Sequence, residues 1–283
     1  MTLDYWETDN IFASHDPAGP AADAGWEAPP SRKGFFTDTS ICIGCKACEV
    51  ACKEWNNVPD DGFDFLGMSF DNTAMLGAHS WRHVAFVEES ADRADLRWLM
   101  MSDVCKHCTH AGCLDVCPTG ALFRTEYATV VVQQDVCNGC GYCVSGCPYG
   151  VIDRSPLDGR AHKCTLCYDR LKGGLEPACA KACPTDSIQF GELAELRERA
   201  ARRLDALHSS GVAEARLYGE DPADGVGGDG AFFLLLDDPE VYGLPPDPVV
   251  PTRDLAAMWK YAGVAAAAFL AAGVSVFAGG GRR

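Results

Sequence analysis

The stretch "CNGCGYCVSGCP", residues 137–148, places four cysteines at successive intervals of three, three and four residues and ends on a proline. Clustered thiols point to a metal centre, a disulfide framework or a redox pair. A redox CxxC motif needs only two cysteines. A zinc site is complete with two CxxC pairs, so a third cysteine only three residues further on has no role there.

The same pattern recurs along the chain. All 16 cysteines of the 283 residues fall into four groups of four. The groups are Cys42, Cys45, Cys48, Cys52; Cys105, Cys108, Cys113, Cys117; Cys137, Cys140, Cys143, Cys147; and Cys164, Cys167, Cys179, Cys183. Proline follows the fourth cysteine in every group except the first, which has Lys53 there.

The spacing C-x2-C-x2-C-x3-C-P is that of bacterial ferredoxins, in which three cysteines hold one [4Fe–4S] cluster and the fourth holds the partner cluster. The motifs must then pair. The segment 121–133, "ALFR…ATVVVQ", alternates like a β-hairpin and joins the second motif to the third. The first and fourth motifs pair around this unit, because "KGFFTD" (33–38) and "SIQFGE" (187–192) read as strands of one small sheet.

Crossed ligation predicts four cysteine sets, one for each of four [4Fe–4S] clusters, which we call sites I to IV. The predicted ligands are Cys42, Cys45, Cys48 and Cys183 for site I; Cys164, Cys167, Cys179 and Cys52 for site II; Cys105, Cys108, Cys113 and Cys147 for site III; and Cys137, Cys140, Cys143 and Cys117 for site IV.

The predicted fold class is α+β: two nested bacterial-ferredoxin-like modules, each for two clusters, with a single C-terminal transmembrane helix. The predicted parts are an N-terminal arm, 1–33; an outer module, 34–104 and 149–191, with a hairpin insertion at "SWRHVAFVEE" and "LRWLMMS" (80–102); an inner module, 105–148; a helix-hairpin extension and linker, 192–253; and the transmembrane helix, 254–283.

The distribution of charge limits the classes of partner that the protein can bind. A net charge of −16 argues against nucleic acid, because binding to phosphates requires clustered Lys and Arg. Several lysines nevertheless lie in or beside cysteine motifs, where a cation raises a cluster's potential. We single out Lys163, directly before Cys164, as a candidate tuning residue. The alternative is a surface lysine with its stem packed on the fold.

No motif for substrate chemistry is visible. "GVGGDG" (225–230) formally matches a dinucleotide fingerprint, but "AFFLLLD" after it reads as a strand where a helix is required, so we predict a turn. His107 and His110 lie within the second motif, and we expect hydrogen-bond donors or solvated loop residues rather than ligands. Residues 1–33 have neither the apolar core of a signal peptide nor a twin arginine.

The C-terminal segment differs from the rest. No charge interrupts the 21 residues from Tyr261 to Gly281, which approaches the ~20 needed to span a bilayer. We predict a single-pass anchor in the cell membrane, with a helix buried against a partner protein as the alternative. The side of the membrane stays open, because Arg282 and Arg283 oppose Arg253 and Lys260.

These features together resemble one family. The relevant stretches are "CIGCKACEVACKEWN" (42–56), "CKHC" (105–108), "GCLDVCPTGA" (112–121), "KCTLCYDR" (163–170), "EPACAKACPTDSIQFG" (176–191) and "DDPEVYGLPPDP" (237–248) before one hydrophobic helix. From about residue 37 onward the chain resembles the iron–sulfur (beta) subunit of membrane-bound respiratory formate dehydrogenases.

That resemblance implies a non-catalytic electron-transfer subunit with four [4Fe–4S] clusters. The implied partners are a molybdenum or tungsten molybdopterin catalytic (alpha) subunit and a membrane cytochrome b (gamma) subunit that reduces quinone. The outer module would face the catalytic subunit and the inner module the membrane. Two alternatives stay open: a relay of another molybdopterin oxidoreductase (polysulfide or sulfoxide reductase) or hydrogenase, and, more distantly, a zinc or disulfide scaffold.

Overall fold

A computed structural model describes residues 19–60, 62, 65–68, 70–88 and 97–279. Its helices are α1 Pro20–Asp23, α2 Ala47–Asn56, α3 Gly112–Asp115, α4 Tyr142–Ser145, α5 Tyr168–Lys172, α6 Ala178–Lys181, α7 Leu193–Ser209 and α8 Leu255–Gly279. Its strands are β1 Lys33–Asp38, β2 Arg82–Glu88, β3 Trp98–Val104, β4 Leu122–Arg124, β5 Val130–Val132, β6 Asp153–Arg154, β7 Ala161–His162, β8 Ile188–Glu192, β9 Arg216–Tyr218 and β10 Ala231–Leu235. More than half of the predicted arm 1–33, and the whole "SADRAD" segment (90–95), lie outside the described residues.

The main sheet has four strands in the order β8-β1-β10-β9. Strands β1 and β8 pair antiparallel, as predicted from "KGFFTD" and "SIQFGE", with Phe35 opposite Phe190. Strand β10 lies parallel to β1 and antiparallel to β9. The segment 192–253, which we expected to be an extension, therefore supplies a central strand of this sheet.

The two faces of the sheet pack against different parts of the protein, because successive residues of a strand point to opposite sides. Phe36 packs with Phe232 and with the apolar face of α7, which carries Leu196 and Ala200. Its neighbour Phe35 belongs instead to a core cluster that contains Cys48, Cys105, Cys164 and Cys179. One face thus packs against a helix and the other against a core cluster that contains cysteines of three motifs.

Three hairpins complete the folded part. Strands β2 and β3 pair antiparallel from Arg82 opposite Val104 to Glu88 opposite Trp98, which confirms the predicted hairpin. Strands β4 and β5 form the short hairpin expected between the second and third motifs. Strands β6 and β7 pair over two residues. The predicted "GVGGDG" turn also forms, with positive φ at Gly227 and Gly228.

The last helix stands apart from the rest of the fold. Among the described residues, one segment, Ala257–Ala278 of α8, is long and apolar enough to cross a membrane by length and composition, and none of it is buried. Just before this helix, Thr252 donates a hydrogen bond to Asp115 of α3 over 2.6 Å, and the Val250 amide donates to the Gly225 carbonyl over 3.0 Å. The helix therefore leaves the fold beside the second cysteine motif.

Candidate metal centres

The four cysteine motifs share one loop conformation. In each motif the residue directly before the second cysteine has a positive φ: Gly44 at 65°, His107 at 48°, Gly139 at 71° and Leu166 at 55°. Glycine adopts this region freely, whereas a side chain there costs about 1–2 kcal/mol. Buried His107 and Leu166 tolerate that strain, which indicates that the surrounding structure fixes the loop.

A helix follows each loop and separates the third cysteine from the fourth by one turn. Cys48 and Cys52 both lie on α2. In the other motifs the third cysteine lies on α3, α4 or α6, and the fourth comes four residues later, just after the helix. Residues at i and i+4 share a helix face, so each helix presents two thiols on one side.

Three cysteines of the first motif and one of the fourth surround a common cavity. Cys42, Cys45, Cys48 and Cys183 line a space of about 290 Å³. Ser102 of β3 also lines it, with its Oγ 3.2 Å from the Cys48 Sγ. Burial raises the pKa of the Cys48 thiol to about 11.

A second cavity brings the second motif together with Cys147 of the third. Cys105, Cys108, Cys113 and Cys147 line a space of about 360 Å³, and so does Lys163. Burial raises the pKa of Cys113 to about 12, with nearby Cys105 and Cys147 adding to the rise. The backbone of Gly227 and Gly228 in the glycine turn packs against this motif, because the Thr109 amide donates to the Gly228 carbonyl over 3.0 Å.

The other two predicted sets are also brought together. Burial and then the neighbouring Cys164, Cys179 and Cys167 thiols raise the pKa of Cys52. Asn56 spans two members of this set, since its Nδ2 lies 3.7 Å from the Cys52 Sγ and 3.9 Å from the Cys167 Sγ. In the fourth set, burial and then Cys137, Cys140 and Cys117 raise the pKa of Cys143 to about 11.

The four sets follow one another through the protein. Cys48 of site I interacts with Cys179 of site II, and both belong to one core cluster. Cys164 of site II interacts in turn with Cys105 of site III. The Cys113 thiol of site III also interacts with the Cys143 thiol of site IV, and Cys113 packs against the core cluster that contains Cys143. The order I, II, III, IV therefore describes a continuous row.

The donor chemistry fits iron–sulfur clusters better than the distant alternatives. All sixteen cysteines are free thiols, so no disulfide joins them. Across the described part of the protein, no group of three Cys, His, Asp or Glu residues could hold a single metal ion. Four thiols around a wider space suit a [4Fe–4S] cube, whereas zinc needs its ligands gathered about one ion.

Two buried cations lie between consecutive sets. Lys163, the candidate tuning residue, is 1% exposed and donates to the Cys164 carbonyl over 3.0 Å and to the Val130 carbonyl. Burial opposes its charge, but Cys105, Cys113 and Cys164 outweigh this and raise its pKa. The second cation, Arg82 of β2, escaped sequence reasoning because an arginine in an amphipathic strand is ordinarily exposed.

One part of the histidine expectation is wrong, because His107 is buried. His107 is neither a solvated loop residue nor a donor at Nδ1, which accepts from the Val130 amide over 3.1 Å. His107 has a positive φ in the buried second loop, and its side chain contacts Val130 of the inner hairpin.

Comparison with protein families agrees with the cysteine pattern. A family model described as a 4Fe-4S dicluster domain matches residues 96–193, and a second model of the same description matches residues 41–121. Together they cover all four cysteine motifs.

Comparison with characterised proteins is more specific. The chain is 43% identical over 240 residues to the nitrate-inducible formate dehydrogenase iron–sulfur subunit of Escherichia coli K12, a match that covers 83% of this chain and 79% of that one. It is 45% identical over 230 residues to the formate dehydrogenase iron–sulfur subunit of Haemophilus influenzae, covering 79% and 71%. The B subunit of the E. coli anaerobic dimethyl sulfoxide reductase is 36% identical over 169 residues, covering 60% and 78%. This protein belongs to the family of formate dehydrogenase iron–sulfur subunits and is an electron-transfer subunit built to carry [4Fe–4S] clusters.

Proposed function

We propose that this chain carries electrons from the molybdenum or tungsten catalytic subunit of a formate dehydrogenase to a membrane cytochrome b, through sites I, II, III and IV in that order. The observation that carries this proposal is the continuous row of four thiol sets, because electron relay needs closely spaced centres from one surface to another. The bound clusters supply the one-electron chemistry. The chain's own residues hold them, shelter them from water and adjust their potentials.

The ligand sets of this proposal are those expected from crossed ligation. Support for sites I and III comes from the two cavities, each lined by three cysteines of one motif and one of another. Support for sites II and IV comes from the mutual interactions of their thiols. The same sets imply the nested modules, with 105–148 inside the outer module 34–104 and 149–191.

Lys163 serves in this proposal as a tuning residue between sites II and III. A buried ammonium beside Cys105, Cys113 and Cys164 favours the more negative, reduced form of the neighbouring clusters. The expected consequence is a higher potential at both sites than the thiolates alone would give.

The proposed direction of electron transfer is based on the surroundings of the two ends of the row. At the outer end, Cys45 is exposed beside Ile43, which suits a contact with the electron donor. At the inner end, Cys140 is exposed near Tyr142. The apolar helix α8 starts beside the inner module through the Thr252–Asp115 hydrogen bond, which favours the inner end as the one nearer the membrane.

A second candidate is the corresponding relay of a sulfoxide reductase, since the B subunit of the E. coli dimethyl sulfoxide reductase is also similar. That similarity covers 60% of this chain, against 83% for the formate dehydrogenase subunit. The broader coverage favours the relay of a formate dehydrogenase over that of a sulfoxide reductase.

The relay is tested in the purified complex with formate as electron donor. Cys167→Ser removes a ligand of site II, so reduction of the membrane quinone should fall at least tenfold. Reduction of an artificial dye at the catalytic subunit should continue, because that subunit is untouched. Quinone reduction at the unchanged rate in a variant shown to lack the site II cluster would contradict the proposal.

Crossed ligation is tested by paired single substitutions read by redox-titrated paramagnetic resonance. Cys183→Ser should alter the same signal as Cys45→Ser, since both belong to site I. Cys52→Ser should alter the same signal as Cys167→Ser, at site II. The reverse pairing would show that each motif ligates locally and would overturn the nested modules as well.

A further inference from the structure

A buried arginine lies where the first two thiol sets meet. Arg82 is the first residue of β2, opposite Val104 of β3, and only 2% of it is exposed. An unpaired guanidinium inside a protein loses its hydration at a large cost, so it requires negative or polar partners. The groups around the Arg82 guanidinium therefore indicate its role.

Two neighbours fix the guanidinium in place. Its Nη1 donates to the Ser102 carbonyl over 3.2 Å and to the Ser102 Oγ over 2.9 Å. Its Cζ lies 4.9 Å from the centre of the Phe35 ring, within range of a cation–π contact. The Ser102 Oγ is also 3.2 Å from the Cys48 Sγ, so the same hydroxyl links Arg82 to a site I ligand.

The remaining donors have no partner among the described residues. The Nε and Nη2 groups of Arg82 are buried and make no hydrogen bond. Buried guanidinium N–H groups without acceptors are rare, because each costs about 1–3 kcal/mol of lost hydration. Phe35, over which the guanidinium lies, packs in one core cluster with Cys48, Cys164 and Cys179. The guanidinium therefore lies against a core cluster that contains thiols of two different sets.

The charges that favour this arginine come from both sites. Burial opposes its charge, but the thiols of Cys179, Cys48, Cys164 and Cys52 outweigh burial and raise its pKa. Cys48 belongs to site I and the other three to site II. No other arginine or lysine has this relation to both sets among the shifted groups of the described residues, since the interactions of Lys163 are with sites II and III.

We propose that Arg82 is a shared tuning cation for the clusters of sites I and II, raising both reduction potentials together and so keeping electron transfer between them close to balanced. This inference rests on the ligand sets of the proposed function. Reduction adds one negative charge to a cluster, and a fixed cation in a low-dielectric interior favours that added charge. Nε and Nη2 have no protein partner among the described residues, and hydrogen bonds from them to the sulfur atoms of a bound cluster would act in the same direction.

The test measures the midpoint potentials of all four clusters in the intact complex by redox-titrated paramagnetic resonance. Arg82→Gln removes the charge and keeps a polar side chain of intermediate length, and Arg82→Lys keeps the charge. Lys163→Gln is the matched control, because it removes the buried cation between sites II and III. Signals are assigned beforehand with Cys45→Ser for site I and Cys167→Ser for site II.

Arg82→Gln should disfavour reduction of the site I and site II clusters about tenfold each, a fall of about 59 mV for a one-electron couple, and leave sites III and IV unchanged. Arg82→Lys should restore most of both potentials. Lys163→Gln should instead lower the potentials of sites II and III. Arg82→Gln could instead lose iron from sites I and II while Arg82→Lys retains it. That result would also support the proposal, because it shows that the clusters of both sites depend on the positive charge at position 82.

Unchanged potentials at sites I and II in an iron-replete Arg82→Gln variant would overturn the proposal. Loss of the same iron in Arg82→Lys would overturn it too, because the side chain would then act by packing alone. A failure of the ligand sets is recognised separately, since Cys183→Ser would then alter a different signal from Cys45→Ser, and Cys52→Ser a different signal from Cys167→Ser.

Discussion

Single residues decide whether each loop can wrap a cluster. The position before the second cysteine has a positive φ in all four motifs, yet glycine occupies it only at Gly44 and Gly139. The sequence predicts the cysteines as ligands through their spacing, but it contains no signal that Leu166 is left-handed and buried. Arg82 and Asn56 escape prediction for a related reason. Asn56 approaches the Cys167 thiol, and Arg82 interacts with the Cys179 and Cys48 thiols, across elements distant in sequence that only folding brings together.

The crowding at Gly139 gives a residue-scale prediction. Its φ is 71°, and an added Cβ would collide with the Gly159 carbonyl oxygen. Gly139→Ala should therefore combine backbone strain with overpacking, about 3 kcal/mol in total, and release iron from site IV, because Cys140 is the next residue. Iron analysis and the site IV resonance signal measure the loss.

Gly120→Ala is the matched control for that change. Gly120 has a φ of 67° and also lies close to a proposed site IV ligand, Cys117, but nothing lies within 4 Å of an added Cβ. It should cost only about 1 kcal/mol of strain and keep its iron. Equal iron loss in both variants would show that crowding at Gly139 is not the cause.

At the scale of elements, local sequence patterns predict helices and hairpins well. They predict little about the pairing of strands that are distant in sequence. The β4–β5 hairpin and α7, with Leu193, Leu196 and Ala200 buried, follow from short-range periodicity. The strand character of "AFFLLLD" is also predicted correctly. Its place in the sheet is not, because parallel pairing of β10 with β1 joins segments almost 200 residues apart and leaves no local mark.

The C-terminal helix gives an element-scale prediction. No proposed ligand lies beyond Cys183, and α8 is unburied in the described part of the protein. Removing residues 256–283 should leave the iron content unchanged and move the protein from the membrane fraction to the soluble fraction. Fractionation and iron analysis of the truncated protein, expressed without its partner subunits, measure both. Continued sedimentation with membranes would show that α8 is not the anchor.

For the whole molecule, one arrangement explains the cysteine spacing and the buried cations. In the proposed crossed ligation each short helix serves two sites, so that four motifs would produce a row instead of four separate centres. The row then runs from exposed Cys45 to exposed Cys140. Composition and spacing predict the number of sites, whereas the cations that lie between sites I and II and between sites II and III emerge only from packing.

The central claim is that this protein holds four [4Fe–4S] clusters, and counting metal and spins tests it most directly. Protein purified without oxygen should contain about sixteen irons per chain, no stoichiometric zinc, and four separate one-electron signals on reductive titration. All sixteen free cysteines are then used. A value near eight irons, or one zinc for each cysteine group, would contradict the account.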